Sequence, residues 1–215
     1  MLRVLIIGAG GWGREVLHQM LADADHDKLW SIAGFLDNRS NVLDGYEVGV
    51  PILGDPLTYV PQEEDVFVCA LGDPHLRYQY AQPILEKGGT FIPVCTESFL
   101  SNRVQLGTGC FLGHWVHSGP DVQIGDFVTI HALTVMGHDV RIGNYAHIGA
   151  QVFMGGGVQI GNFAVIHPRA TILPGIKVGD DAVVGAGSVV LKDVPAGATV
   201  FGNPAKIVFQ KTEKE

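Results

Sequence analysis

The chain has 215 residues, 47% hydrophobic and 17% charged, the composition of a folded globular protein rather than a disordered one. A formal net charge of −8 argues against nucleic acid or an anionic membrane as the main partner, because polyanions are bound through basic patches. It leaves room for an anionic small molecule held by backbone amides.

The N-terminal MLRVLIIGAGG begins like a secretory signal, but its apolar run is too short and passes at once into glycines that suit a strand-to-helix turn. RVLII (3–7) reads as a buried strand and residues 13–22 as a helix. IAGFLD (32–37) and VFVCAL (66–71) are further strands, 74–87 is helical, and TFIPV (90–94) is a strand. Strands alternating with helices predict a small Rossmann-like parallel α/β domain over residues 1–95. Cys69, Cys95 and Cys110 are an odd set without metal-ligand spacing, the usage of reduced thiols in a cytoplasmic protein. No run of about eighteen apolar residues suggests a membrane span.

GAGGWG (8–13) satisfies G-x-G-x-x-G through Gly8, Gly10 and Gly13, and Asp37 ends the next strand. Glycines there permit a tight turn and a close approach of backbone to phosphate, while the helix N-terminus offers N–H groups to an anion. Read alone, the motif is the dinucleotide site of a dehydrogenase or a turn that binds nothing. Against a dehydrogenase stand the short first half and the character of the second.

After residue 95 the helical signal ends and a repeat begins. Leu106-Gly107, Ile124-Gly125, Ile142-Gly143, Ile160-Gly161 and Val178-Gly179 recur at a spacing of 18. Within each 18 lies a period of six: aliphatic residues or Met occupy every sixth position from Leu100 to Val190, with Ser118 alone breaking the rule. Four residues after each beat stands a small or β-branched side chain, as at Val116, Val122, Val128, Thr134, Val140 and Ala146. Such a register predicts a solenoid over 96–208, followed by a tail to 215: six residues make a short strand and a corner, and three such units make one triangular coil. A β-sandwich would show irregular spacings and variable loops.

Of nine histidines, His114, His117, His131, His138 and His147 fall inside the repeat. A solenoid tolerates polar residues at outward positions, so each by itself reads as a surface residue. His138 lies two residues past a beat, off the axis, with Pro120 and Gly156 as its equivalents one coil away, which leaves space beside an imidazole.

The hexapeptide pattern resembles the left-handed parallel β-helix acyltransferases, and VVLKDVPAGATVFGNPAKIV (189–208) is similar to that superfamily's close. Together with the GAGGWG half, nearly the whole chain resembles the bacterial sugar acyltransferases, typified by sialic acid O-acetyltransferases and by N-acetyltransferases of nucleotide-linked 4-amino sugars. The resemblance implies a left-handed β-helix assembling as a homotrimer, with acetyl-CoA as co-substrate, no metal, and a nucleotide-linked sugar as partner in cell-surface glycan synthesis. It implies His138 as general base and Asp139 as its orienter, a role for which adjacent residues must share a side although strand neighbours face opposite ways. It further implies cofactor contacts at His147, Gly155, Gly156 and Ala186, and an acceptor-sugar contact at His131. The turn would hold a nucleotide diphosphate through Gly8, Gly10, Gly11 and Gly13, with Asp37 and Gly72-Asp73 bordering base and ribose. At position 12, where many relatives carry a histidine, this chain has Trp12, which either stacks or packs. Acetylation of an amine is favoured; acetylation of a sugar hydroxyl and a non-catalytic sugar-nucleotide-binding trimer are the alternatives. The same fold supports zinc carbonic anhydrases, but their ligand pair five residues apart has no counterpart among these histidines.

Overall fold

The computed structural model describes residues 1–210, in two compact units, Met1–Thr96 and Glu97 onward. The expected tail, 211–215, lies outside the described residues. In the first unit, strands β1 (Leu2–Ile7), β2 (Trp30–Leu36), β3 (Ile52–Gly54), β4 (Asp65–Cys69) and β5 (Thr90–Phe91) form one parallel sheet in the order β3-β2-β1-β4-β5. Val4 to Ile7 and Phe67 to Cys69 are buried, the continuous apolar run expected of parallel strands covered on both faces. Helices α1 (Gly11–Leu21) and α2 (Pro74–Glu86) make the crossovers after β1 and β4.

Two elements differ from the sequence reading. β3 was not foreseen, because Ile-Leu-Gly is too short to show a period; it forms by pairing Ile52 with Phe35. The strand expected over 90–94 leaves the sheet after Phe91, since Pro93 has no N–H to continue the ladder. The strand order reverses at β1, so the carboxyl ends of β1 and β4 open the crevice in which sheets of this kind hold ligands.

In the second unit each six-residue repeat gives a two-residue strand, and each strand pairs in parallel with the one 18 residues on. Three faces result. The first carries Gln105, Gln123, Arg141, Gln159 and Lys177 outward; the second Phe111, Thr129, His147, Val165 and Val183; the third His117, Val135, Phe153, Thr171 and Val189. The beat residues and those four positions later fill the axis: Ile130, Ile148, Ile166, Val140, Ala146 and Val158 are fully buried. Full burial of one such aliphatic side chain is worth roughly 1.5–3 kcal/mol. Ser118 fits the apolar axis because its Oγ accepts from the Ser101 N–H at 3.2 Å.

The corners have a rule that no hydropathy pattern reveals. Every sixth residue from Gly109 to Gly187 has a left-handed backbone, and most are not glycine: Trp115, Asp121, Phe127, Leu133, Asp139, Tyr145, Gln151, Phe163, Arg169 and Asp181 have φ between 54° and 64°.

Candidate active site

His138 follows the third-face strand Val135–Met136 and stands on the edge joining the third face to the first. Its carbonyl accepts from the Gly157 N–H at 2.8 Å, and the Asp139 N–H donates to the Pro120 carbonyl at 3.0 Å, so the corner is fixed to the coils on either side. At φ 58° Asp139 turns back on its neighbour, and its Oδ2 lies 2.7 Å from His138 Nδ1. The left-handed corner is therefore what lets consecutive residues share a side. Both are exposed, the His138 side chain to 68%, so the imidazole presents Nε2 to any ligand along the edge. Asp121, one coil away, is engaged by the Arg103 guanidinium at 2.7 Å through each oxygen.

Beside the ring lies Gly156. A Cβ on Gly156 would stand 2.5 Å from His138 Nε2, so the imidazole occupies space that any other residue would fill. Gly155, next to it, is closed on its other side by Pro174, whose N would be 2.5 Å from an added Cβ.

The remaining predicted residues of this unit form a second group. His147 is on a second-face strand and His131 follows the neighbouring strand, with ring centroids 4.9 Å apart. Ala186 is on the edge between the second and third faces. The third face thus lies between an edge bearing His138, Gly155 and Gly156 and an edge bearing Ala186.

In the first unit the glycine turn is built as its sequence suggests. Gly8 has φ +96°, and an added Cβ would be 2.8 Å from Leu71 Cδ2. A Cβ on Gly13 would collide with the Gly8 carbonyl, so Gly13 is required where α1 crosses β1. Gly11 and Gly72 have open space instead. Gly10 caps α1 without a side-chain hydrogen bond, and the first turn has no acidic residue. α2 is the opposite case: Asp73 accepts the Leu76 N–H at 2.9 Å and Pro74 follows. Asp73 is thus engaged as a helix cap. Trp12, in the first turn of α1, is half-buried.

Asp37 is almost fully buried beside the turn. Burial alone would raise its carboxyl, but the Arg39 guanidinium and the Ala9 and Arg39 amides outweigh burial and hold it below the usual carboxylate value. A cleft of about 400 Å³ opens here, lined by Gly8, Asp37, Asn38, Arg39, Leu76 and Tyr80 among others. Asn38 donates to the Tyr80 hydroxyl at 3.1 Å across its rim.

Residues 3–84 match the PglD N-terminal domain family, and residues 121–156 and 157–192 match bacterial transferase hexapeptide (six repeats). The X-ray structure of PerB from Caulobacter crescentus in complex with CoA and GDP-perosamine is 31% identical, with 95% of this chain and 96% of that chain covered and a TM-score of 0.85. The chain belongs to the hexapeptide-repeat sugar acyltransferases. A histidine-to-asparagine form of perosamine N-acetyltransferase from the same organism, with CoA and GDP-perosamine, is 29% identical over 96% of this chain and 97% of that one, TM-score 0.86. The acetyltransferase domain of PglB from Neisseria gonorrhoeae, in complex with acetyl coenzyme A, is 26% identical over 96% and 98%, TM-score 0.87. No curated protein matches the chain in sequence.

Three residues of this acyltransferase were missed from its sequence: Arg39, Asn38 and Tyr80. Arg39 left one usable signal, a cation two residues past the strand-end aspartate. Tyr80 left none, because only the fold brings it to Asn38. Among the described residues no group of three or more His, Cys, Asp or Glu could hold a metal ion, and no helix is long and apolar enough to cross a membrane.

Proposed function

We propose that this acyltransferase moves an acetyl group from acetyl-CoA to the amino group of a nucleotide-linked amino sugar, with His138 as general base and Asp139 as its orienter. The observation that carries the reading is the His138–Asp139 pair on an exposed edge beside Gly156. The fit to acetyl-CoA is local: an open imidazole nitrogen adjoins backbone at Gly155 and Gly156 that a side chain would block.

In the reaction the amine nitrogen attacks the thioester carbonyl carbon as Nε2 of His138 takes its proton. Asp139, at Nδ1, fixes the tautomer and stabilises the imidazolium. The C–N bond forms, the C–S bond breaks, and the imidazolium returns the proton to the departing CoA sulfur. Backbone N–H groups at Gly155, Gly156 and Ala186, with His147, are proposed to contact the cofactor, and His131 the acceptor sugar. Donors aimed at the developing oxyanion stabilise it more than the ground-state carbonyl.

The first unit, residues 1–95, is proposed to hold the nucleotide, with Gly8, Gly10, Gly11 and Gly13 at the diphosphate. Trp12, Asp37, Gly72 and Asp73 lie at the same end of the sheet. Support comes from PerB, 31% identical, whose structure contains CoA and GDP-perosamine. We propose a homotrimer as well. Val135 and Phe153 on the third face, and Leu133, Leu173 and Leu191 on its flanking edges, are exposed apolar residues that a second copy would cover. None of the three cysteines is in a disulfide, in keeping with a cytoplasmic location.

The test is to supply acetyl-CoA with GDP- or UDP-linked amino sugars and follow thiol release and acetyl gain by mass. Acetylation of an analogue in which a hydroxyl replaces the amine would establish O-acetylation instead. Absence of any stabilisation by acetyl-CoA would leave a non-catalytic binding protein.

A further inference from the structure

Asp37 and Arg39 do not fit the simple scheme in which a strand-end carboxylate takes the ribose hydroxyls. A carboxylate has about four acceptor positions. Here four donors fill them: Oδ1 accepts from the Arg39 N–H at 3.0 Å and Arg39 Nε at 2.9 Å, and Oδ2 from the Ala9 N–H at 2.9 Å and Arg39 Nη2 at 2.8 Å. A ribose hydroxyl could bond Asp37 only by displacing one of them.

The guanidinium is in the reverse position. Its Nε and one Nη2 hydrogen are committed to Asp37, while Nη1 makes no hydrogen bond among the described residues, and the side chain is 58% exposed. The fork onto a carboxylate that is itself 95% withdrawn from solvent fixes the plane of the group. Its location is also fixed: the nearest atom to a Cβ built on Gly10 is Arg39 Nη2, at 3.7 Å. Gly10 is the N-cap of α1, whose first-turn amides lack a side-chain cap, and Arg39 lines the cleft into which the turn opens.

We infer that Arg39 is the cation that binds the nucleotide's diphosphate over the N-terminus of α1, and that Asp37 is a positioning residue that holds Arg39 and the turn rather than a contact to ribose. The inference rests on the nucleotide reading above and adds a residue to it. The pairing also solves an electrostatic problem. Asp37 ties down Ala9, and so places a carboxylate next to the position of an anion; Arg39 compensates that charge and leaves its other donor edge for phosphate. Removing Arg39 alone therefore does two things, losing a phosphate donor and exposing the anion to Asp37.

The experiment measures binding of GDP and UDP to the full-length chain by titration calorimetry, for the parent, Arg39→Met, Arg39→Lys, Asp37→Asn and the Asp37→Asn/Arg39→Met pair. Arg39→Met should weaken both nucleotides by a similar factor, roughly tenfold to a hundredfold. The double variant should bind better than Arg39→Met alone, because the uncompensated carboxylate is gone. Arg39→Lys, which keeps the charge but not the fork, should fall between and serves if Arg39→Met does not fold. Parent binding with Arg39→Met, or Arg39→Lys in its place, unchanged within twofold would overturn the assignment. A loss confined to GDP would make Arg39 a reader of the base, and overturn it too. Failure of the parent chain to bind either diphosphate would overturn the nucleotide reading itself, and Arg39's role with it.

Discussion

In residues 1–96 a left-handed backbone falls to glycine at Gly8, Gly34, Gly45, Gly49, Gly54 and Gly88, and otherwise to Asp27. Between 109 and 187 it falls at every sixth residue and is taken by tryptophan, leucine, tyrosine, arginine or aspartate as readily as by glycine. For an L-residue that conformation costs roughly 1–2 kcal/mol. In the first unit the local residue decides whether the chain can turn. In the second the coils above and below impose the turn, since each corner amide donates to a carbonyl 19 residues earlier, as Asp139 does to Pro120 and Tyr145 to Asp126. A scaffold that imposes its corners frees the corner residue for chemistry, and Asp139 is where that freedom is used.

The largest effect expected from this difference is catalytic. His138 is exposed and outside the axis, so His138→Ala should leave thermal unfolding nearly unchanged while lowering the acetyl-transfer rate by roughly 10²–10⁴-fold. Full activity in a folded His138→Ala protein would remove the general base from the second unit. Gly156→Ala should come next, because its Cβ would displace the imidazole with every reacting group still present. A misplacement of about 1 Å costs on the order of 10²-fold. An active Gly156→Ala enzyme would mean that the ring relaxes without consequence, so comparing its kcat with that of the parent is a direct measure of positioning.

Smaller, and on stability, are the effects on the two kinds of packing. Ile148→Ala empties one position in a stack that runs the length of the prism and should cost roughly 2–5 kcal/mol. Gly13→Ala forces a methyl against the Gly8 carbonyl and should cost about 1–3 kcal/mol in the first unit. Denaturant unfolding followed by fluorescence would measure both. Equal tolerance of the two would show that the first unit's turn adapts as the repeat does not.

How much of this the sequence exposes follows from the same contrast. The period of six names the buried residues of the prism directly, because one side chain per hexad must fill the axis. It also places His138 off that axis. It is silent on backbone handedness at Asp139, whose side chain is only a neighbour in the sequence until φ is known. In the first unit the glycine motif is legible because a tight turn permits few residues. Its surroundings are not, because Asp37, Arg39, Asn38 and Tyr80 meet through long-range folding and carry no periodic mark. For the same reason Asp73 reads as a site residue in sequence, while the structure shows it engaged as a helix cap.

The smallest expected effect concerns pH and tests whether the first unit's turn depends on a single charge. The Asp37 carboxyl is lowered from its ordinary value of 3.8 in the folded chain, because four hydrogen bonds favour its ionised form over the cost of burial. A lowered folded pKa means that the unfolded chain binds the proton more readily. The stabilisation is therefore complete above 3.8 and fades as the pH falls through the lower folded value. Asp37→Asn keeps an oxygen for the Ala9 N–H but removes the titration. It should be less stable than the parent at neutral pH, with the difference shrinking in acid. A difference that stays constant down to acid unfolding would mean that the turn is held by shape alone, as the corners of the prism are.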